Sequence, residues 1–284
     1  MTHTRRRFIR TVPALGAFAL PFASPTFNAH PFGQAPAAEG PVWPSPEPAR
    51  GTPVDDSFPS QHVALAKEIV SVSHGNLARV KELVQQHPAL AKASFDWGYG
   101  DWETALGAAS HTGRREIAEL LIENGAPPTL FSATMLGQLD LVKAFLAAMP
   151  GGQRMRGPHS ISLMTHAKLG GPQAASVVKY LESLGDADLP LKNEPIGAED
   201  RAQLDGRYTF GDRPRDHFKV STTPQGLALE RVGAPFSRGI LHLGELAFYP
   251  VGAPQVRIRF ERESGKITAL GVFDPDLVVR AKKV

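Results

Sequence analysis

One short pattern recurs through the middle of this chain and constrains its fold more than any other feature. Thr104-Ala-Leu-Gly-Ala-Ala-Ser-His-Thr-Gly113 runs directly into Arg-Arg-Glu-Ile-Ala-Glu-Leu-Leu-Ile-Glu-Asn-Gly125-Ala126. Three weaker copies surround it: Gly75-Asn-Leu-Ala-Arg-Val-Lys-Glu-Leu-Val84, Gly137-Gln-Leu-Asp-Leu-Val-Lys-Ala-Phe-Leu146, and Gly171 followed by Val177-Val-Lys-Tyr-Leu-Glu-Ser-Leu-Gly185. In each copy a short helix is expected to end near the first glycine. The next helix carries apolar residues at helical spacing, as Ile117, Leu120 and Leu121 do. A single pair of this kind cannot bury its apolar face alone, so neighbouring pairs must stack.

The strongest copy resembles the ankyrin consensus, with Thr104-Ala-Leu-Gly107 where that family has T-P-L-H. The resemblance covers residues 60–190 and implies an α-solenoid of about four repeats that binds another protein. Two features depart from it. The histidine of the tetrapeptide is absent, and the intervals between Gly75, Gly113, Gly137 and Gly171 are 38, 24 and 34 residues. The shortest interval leaves little room for a connecting hairpin.

Beyond Leu189-Pro190 the period changes from helical to two. Alternating runs occur at 217–221, 226–232 and 256–262, with turn signals at Thr223-Pro-Gln-Gly226, Gly252-Ala-Pro254, Glu263-Ser-Gly265 and Asp274-Pro-Asp276. About eight short strands are expected over 200–284, as an antiparallel meander or a small closed barrel. Leu204-Asp-Gly-Arg-Tyr208 and a last strand ending in basic residues resemble the small β domain that follows the catalytic domain of some beta-lactamase-like serine hydrolases. The expected fold class is therefore multidomain α plus β: an ankyrin-repeat α-solenoid, then a small antiparallel β meander or barrel. Pro190, Pro195 and Gly197 mark the joint between two expected folding units.

The amino terminus reads as an address. Thr4-Arg5-Arg6-Arg7-Phe8-Ile9-Arg10 resembles the twin-arginine export motif at every position, with Arg5, Arg6 and Phe8 as its signature. An apolar stretch follows, then a small-residue cleavage site at Ala35-Pro36-Ala37, with an earlier cut after Ala29 as the alternative. A signal peptide over 1–37, a proline-rich tether over 38–59 and a periplasmic or extracellular location are the expectations. Without residues 1–37 the chain has 27 basic residues against 28 acidic ones, which weakens any argument from charge for nucleic-acid binding. No cysteine is present, so disulfides, zinc–thiolate sites and cysteine nucleophiles are excluded.

No catalytic motif stands out. Gly265-Lys266 lacks the rest of a phosphate-binding loop, and Asp274-Pro-Asp276 lacks the further ligands of a calcium loop. The ten histidines show no metal-ligand spacing. The expected protein is thus a non-catalytic one, with no metal site and no cofactor. It binds a protein partner, does not bind nucleic acid, and has no stable membrane span in its mature form. The alternatives are a carrier of a small apolar ligand in the β domain, or an accessory subunit of an exported enzyme. The partner-binding candidates centre on the aromatic insertion: Asp96, Trp97, Tyr99, Asp101 and Trp102, joined by His111, Arg114 and Arg115. Within it, Trp97 and Tyr99 are the expected contact residues, whereas Phe95 and Trp102 are expected to fill the gap between repeats.

Overall fold

The structure is a computed structural model that describes residues 57–284 apart from residue 235. The expected export signal and most of the proline-rich tether lie outside the described residues. The helices α1 (Val63–Val72) and α2 (Leu77–Gln86) form the first pair, and α3 (Ala105–His111) and α4 (Arg115–Glu123) the second. The third and fourth pairs are α5 (Leu130–Met135) with α6 (Leu139–Ala148) and α7 (Leu163–Leu169) with α8 (Ala175–Leu184). Hydroxyl N-caps start the first helix of three pairs. Thr104 accepts from Gly107 N at 2.9 Å, Thr129 from Ser132 N at 3.1 Å, and Ser162 from Thr165 N at 3.2 Å.

The turn glycines do what the repeat pattern asks of them. Gly113 and Gly137 have φ of 67° and 75°. A Cβ on Gly113 would stand 2.5 Å from the Leu169 carbonyl oxygen, and one on Gly137 only 2.2 Å from that of Gln173. These positions need glycine both for the left-handed backbone and for the close approach of the fourth pair.

The architecture nevertheless corrects the expected fold class. The described residues hold nine short helices and a closed barrel, not an ankyrin α-solenoid. The irregular glycine spacing supplies the physical reason. Only residues 126–129 separate the α4 turn from α5, too few for a projecting hairpin. The long interval before α3 instead folds into a ribbon of β1 (Ser94–Asp96) and β2 (Trp102–Thr104). The apolar interior is split accordingly. One cluster gathers Ile69, Leu83, Leu106 and Leu121; another gathers Leu130, Leu146, Leu163 and Leu181.

A ninth helix, α9 (Ala198–Leu204), leads into β3 (Gly206–Thr209), β4 (His217–Thr223), β5 (Gly226–Arg231) and β6 (Arg238–Gly244). Then come β7 (Ala247–Pro250), β8 (Arg257–Glu263), β9 (Lys266–Asp274) and β10 (Asp276–Lys283). Each strand pairs antiparallel with the next, and β10 pairs back with β3, so the barrel closes and leaves no free edge. The expected antiparallel β region is therefore present as a barrel. The Glu263-Ser-Gly265 signal makes a two-residue turn in which Ser264 and Gly265 have φ of 48° and 82°, the geometry that matches strand twist. The inward residues include Phe218, Leu229, Phe248 and Val272. Tyr208 is also buried there, and its hydroxyl donates to the Leu204 carbonyl at 2.7 Å.

The helical and barrel regions belong to one compact unit. A buried ion pair between Asp101 and Arg238 joins them, as does a hydrogen bond from Gly252 N to Ser160 Oγ at 2.9 Å. Among the described residues no helix is long and apolar enough to cross a membrane.

Candidate metal centre and adjoining cavity

The ribbon that replaces a repeat connector builds the site. Pairing of Ser94 with Thr104, Phe95 with Glu103 and Asp96 with Trp102 fixes the register. Side chains alternate across a strand, so Glu103 turns inward while Trp102 and Thr104 turn outward. The tip is tight. Trp97 N donates to Asp101 O at 3.1 Å, Asp101 N to Gly98 O at 3.2 Å, and Gly98 N to Asp96 Oδ1 at 2.8 Å.

Three histidines from different elements meet the buried Glu103. His74 follows the end of α1, His111 is the last residue of α3, and His159 lies in the turn before α7. His111 Nε2 is 2.6 Å from Glu103 Oε1, His159 Nε2 is 3.4 Å from the same oxygen, and His74 Nε2 is 3.6 Å from Oε2. One donor atom from each of the four residues lies within 4.8 Å of all the others. A tetrahedron of ligands about 2.0–2.1 Å from an ion has edges of roughly 3.4 Å, so shifts of about an ångström convert this cluster into a coordination shell.

The surroundings orient these donors. His74 Nδ1 lies 3.1 Å and 3.0 Å from the carbonyl oxygens of Val70 and Ser71. Those oxygens only accept, so Nδ1 carries hydrogen and Nε2 faces the cluster. His159 Nδ1 is 2.7 Å from Asp101 Oδ2, and its backbone N–H donates to Asp101 Oδ1 at 2.9 Å. Trp97 Nε1 donates to Glu103 Oε2 at 2.6 Å. The carbonyls on His74, the carboxylate on His159 and the donor on Glu103 are contacts of the kind a metal site uses to fix its ligands. His159 and Ser160 have φ of 57° and 59°, an unfavourable backbone for non-glycine residues that the Asp101 contacts hold in place.

The charges follow from this packing. Burial disfavours the Glu103 carboxylate, but hydrogen bonds from His111 and His159 outweigh it and hold its pKa at about 2. Burial likewise opposes ionised Asp101, whose contacts with His159 and Arg238 bring it to about 2. Burial would discharge His159; hydrogen bonds to Asp101 and Glu103 instead raise it to about 9. His166 is held neutral, pushed down to about 4 chiefly by burial, and its buried Nε2 has no hydrogen-bond partner among the described residues.

One cavity adjoins the cluster and a second lies beside the first. The first, of about 380 Å³, is lined by His74, His159, Trp97, Phe236, Arg238 and Val251 among others. The other, of about 390 Å³, is at the barrel mouth and shares Trp97, Phe236 and Arg238 with the first. The Trp97 and Phe236 rings meet edge to face at 5.5 Å.

The structure places the sequence candidates in varied roles. Asp96 closes the ribbon turn, Trp97 packs against the helical core, and Tyr99 packs against the barrel core. Asp101 is buried between His159 and Arg238, and His111 is a member of the cluster. Trp102, expected to fill the gap between repeats, is 62% exposed, while Phe95 packs as expected. Arg114 donates to the His74 carbonyl at 3.0 Å, and Arg115 to those of Leu136 and Met135, so both tie neighbouring pairs together. The sequence reading missed His74, Glu103 and His159. A signal for two of the cluster's histidines was present: His74 and His111 each stand just before a turn glycine, Gly75 and Gly113. The expectation of no metal site is thus replaced by a candidate centre. No protein-family model matches the chain, and comparison with curated proteins and with solved structures gives no match.

Proposed function

We propose that this protein binds one divalent first-row transition ion through His74, Glu103, His111 and His159, and presents it to a small molecule in the adjoining cavity. The observation that carries the reading is the convergence of four donors, three of which are already held on their far sides. His74 by two carbonyls, His159 by Asp101 and Glu103 by Trp97 together resemble the outer shell of a metal centre more than a simple buried ion pair. Three imidazoles and one carboxylate suit zinc, iron, nickel or copper better than calcium or magnesium. His74 and His159 line the cavity, which supports a centre open on one side. Such an ion supplies Lewis acidity toward a bound oxygen donor. The twin-arginine pattern supports a place of action outside the cytoplasm.

Calorimetric titration of the chelator-treated full chain with Zn²⁺ tests the reading. It expects saturation at one ion per chain and no saturable binding by His111→Ala. Trp97→Phe keeps the ring but removes the Glu103 hydrogen bond, and should weaken binding by about 10–100-fold. Wild-type affinity in a folded His111→Ala protein would rule out this site.

A further inference from the structure

We infer that the barrel-mouth cavity binds a small apolar molecule carrying a single negative charge, with a medium-chain carboxylate as the simplest representative. This inference does not rest on the metal reading, because the chamber lies on the barrel side.

Its walls come from inward-facing Phe218, Leu229 and Val272, closed over by Phe210, Phe236 and Tyr99. The inside of a closed barrel is filled where side chains meet; here it leaves about 390 Å³ open toward the ribbon. At about 30 Å³ per small group, that volume accepts on the order of a dozen non-hydrogen atoms. Apolar walls of this kind favour a hydrocarbon body over a sugar or a peptide.

The polar groups in the lining select the charge. Among the described residues, Arg231 and Arg238 are the cations that line the chamber, and no acidic side chain does. Arg231 is held through its inner nitrogen, Nε donating to the Arg215 carbonyl at 3.2 Å. Its Nη2 is 4.0 Å from Asp216, which is bound more closely by Arg213 at 2.8 Å, and its guanidinium lies over the Phe210 ring at 5.4 Å. Arg238 uses Nη1 for Asp101 and the Val251 carbonyl, whereas its buried Nε has no hydrogen-bond partner among the described residues. Burial raises the Tyr99 pKa while both arginines oppose the rise, so the two cations act on the same part of the chamber. A guanidinium with spare donors beside apolar walls gives a carboxylate a charge-assisted partner and gives a neutral or cationic chain none.

The test is calorimetric binding of decanoate, 1-decanol and decyltrimethylammonium to the full chain in chelator, each below its aggregation limit. The inference expects decanoate to bind one per chain, at least about tenfold more tightly than decanol, with no binding of the cation. Arg231→Gln should weaken decanoate about tenfold and leave decanol unchanged. Ala234→Trp should block the chamber and abolish both, and melting of the same preparation checks that this protein is folded. Retention of decanoate binding by His111→Ala separates this site from the metal centre. Equal affinity for decanoate and decanol, absence of decanoate binding, or undiminished binding by folded Ala234→Trp would each overturn the inference.

Discussion

The helical region and the barrel solve the same problem, burying apolar faces, in opposite ways, and the site lies where they meet. The barrel satisfies its own backbone by closure: every strand from β3 to β10 has two neighbours, and its inward faces form a single cluster. The helical pairs cannot close. They stack through glycines in close approach to carbonyls of the fourth pair, and their interior falls into two clusters. A closed wall has room for a chamber at its mouth. An irregular stack has a gap between pairs, and here the ribbon fills that gap with a carboxylate instead of an apolar side chain. Irregularity in the repeat, which spoils the solenoid, is what brings Glu103 to three histidines.

The sharpest way to break this comparison is at the glycines. Gly137→Ala would set a Cβ 2.2 Å from a backbone oxygen at a φ of 75°, and should destabilise the protein by about 3 kcal/mol or more. Gly265→Ala, at a barrel hairpin with φ of 82° and open space around it, should cost only about 1–2 kcal/mol. Denaturant melts of the two variants measure the difference; equal losses would mean that the helical pairs do not depend on close approach.

A second pair of variants separates the two tryptophans at the ribbon. Trp97 packs on the helical core and donates to Glu103, so Trp97→Ala should cost about 2–4 kcal/mol. Trp102 is 62% exposed, and Trp102→Ala should stay within about 0.5 kcal/mol. Thermal melts that reversed this order would show the ribbon to be in the opposite register.

These residues also show how far the sequence could be read. Hydroxyl caps, turn glycines and apolar spacing act within a few residues, so the helix pairs were legible. The alternation at 226–232 and 256–262 matches Gly226–Arg231 and Arg257–Glu263 closely for the same reason. Closure of the barrel depends on pairing the first strand with the last, which no local pattern records. Beyond the position of two histidines before turn glycines, the metal candidate was illegible for a similar reason. His74, His111 and His159 are far apart in sequence, and Glu103 is turned toward them only by the pairing of β2 with β1. Trp102, expected to fill the gap between repeats, is exposed instead, because the strand register that turns Glu103 inward turns it outward, and that register comes from pairing with Ser94–Asp96.

Acid and base should stress the junction more gently, and in opposite directions. Without an ion, His159 rises from its ordinary 6.5 to about 9, so its contribution to stability is complete below 6.5 and lost as pH rises through 9. Asp101 and Glu103 fall from 3.8 and 4.5 to about 2, so theirs is complete above 4.5 and lost as pH falls toward 2. The ion-free protein should therefore melt highest between about pH 4.5 and 6.5. Binding an ion at His159 Nε2 must displace its proton, so Zn²⁺ affinity should rise about tenfold per pH unit between pH 7 and 9 for that proton. Melting curves and titrations across this range check both signs; a flat ion-free profile would show that these groups are not coupled to folding.

The most direct test of the central claim is X-ray absorption at the zinc edge on the full chain loaded with one equivalent of Zn²⁺. The account expects a shell of imidazole nitrogens and a carboxylate oxygen at about 2.0–2.1 Å, with the scattering signature of three histidines. That signature should lose one imidazole in each of His74→Ala, His111→Ala and His159→Ala that still takes up the ion. A shell of oxygen alone, or a histidine count that none of the three substitutions changes, would contradict it.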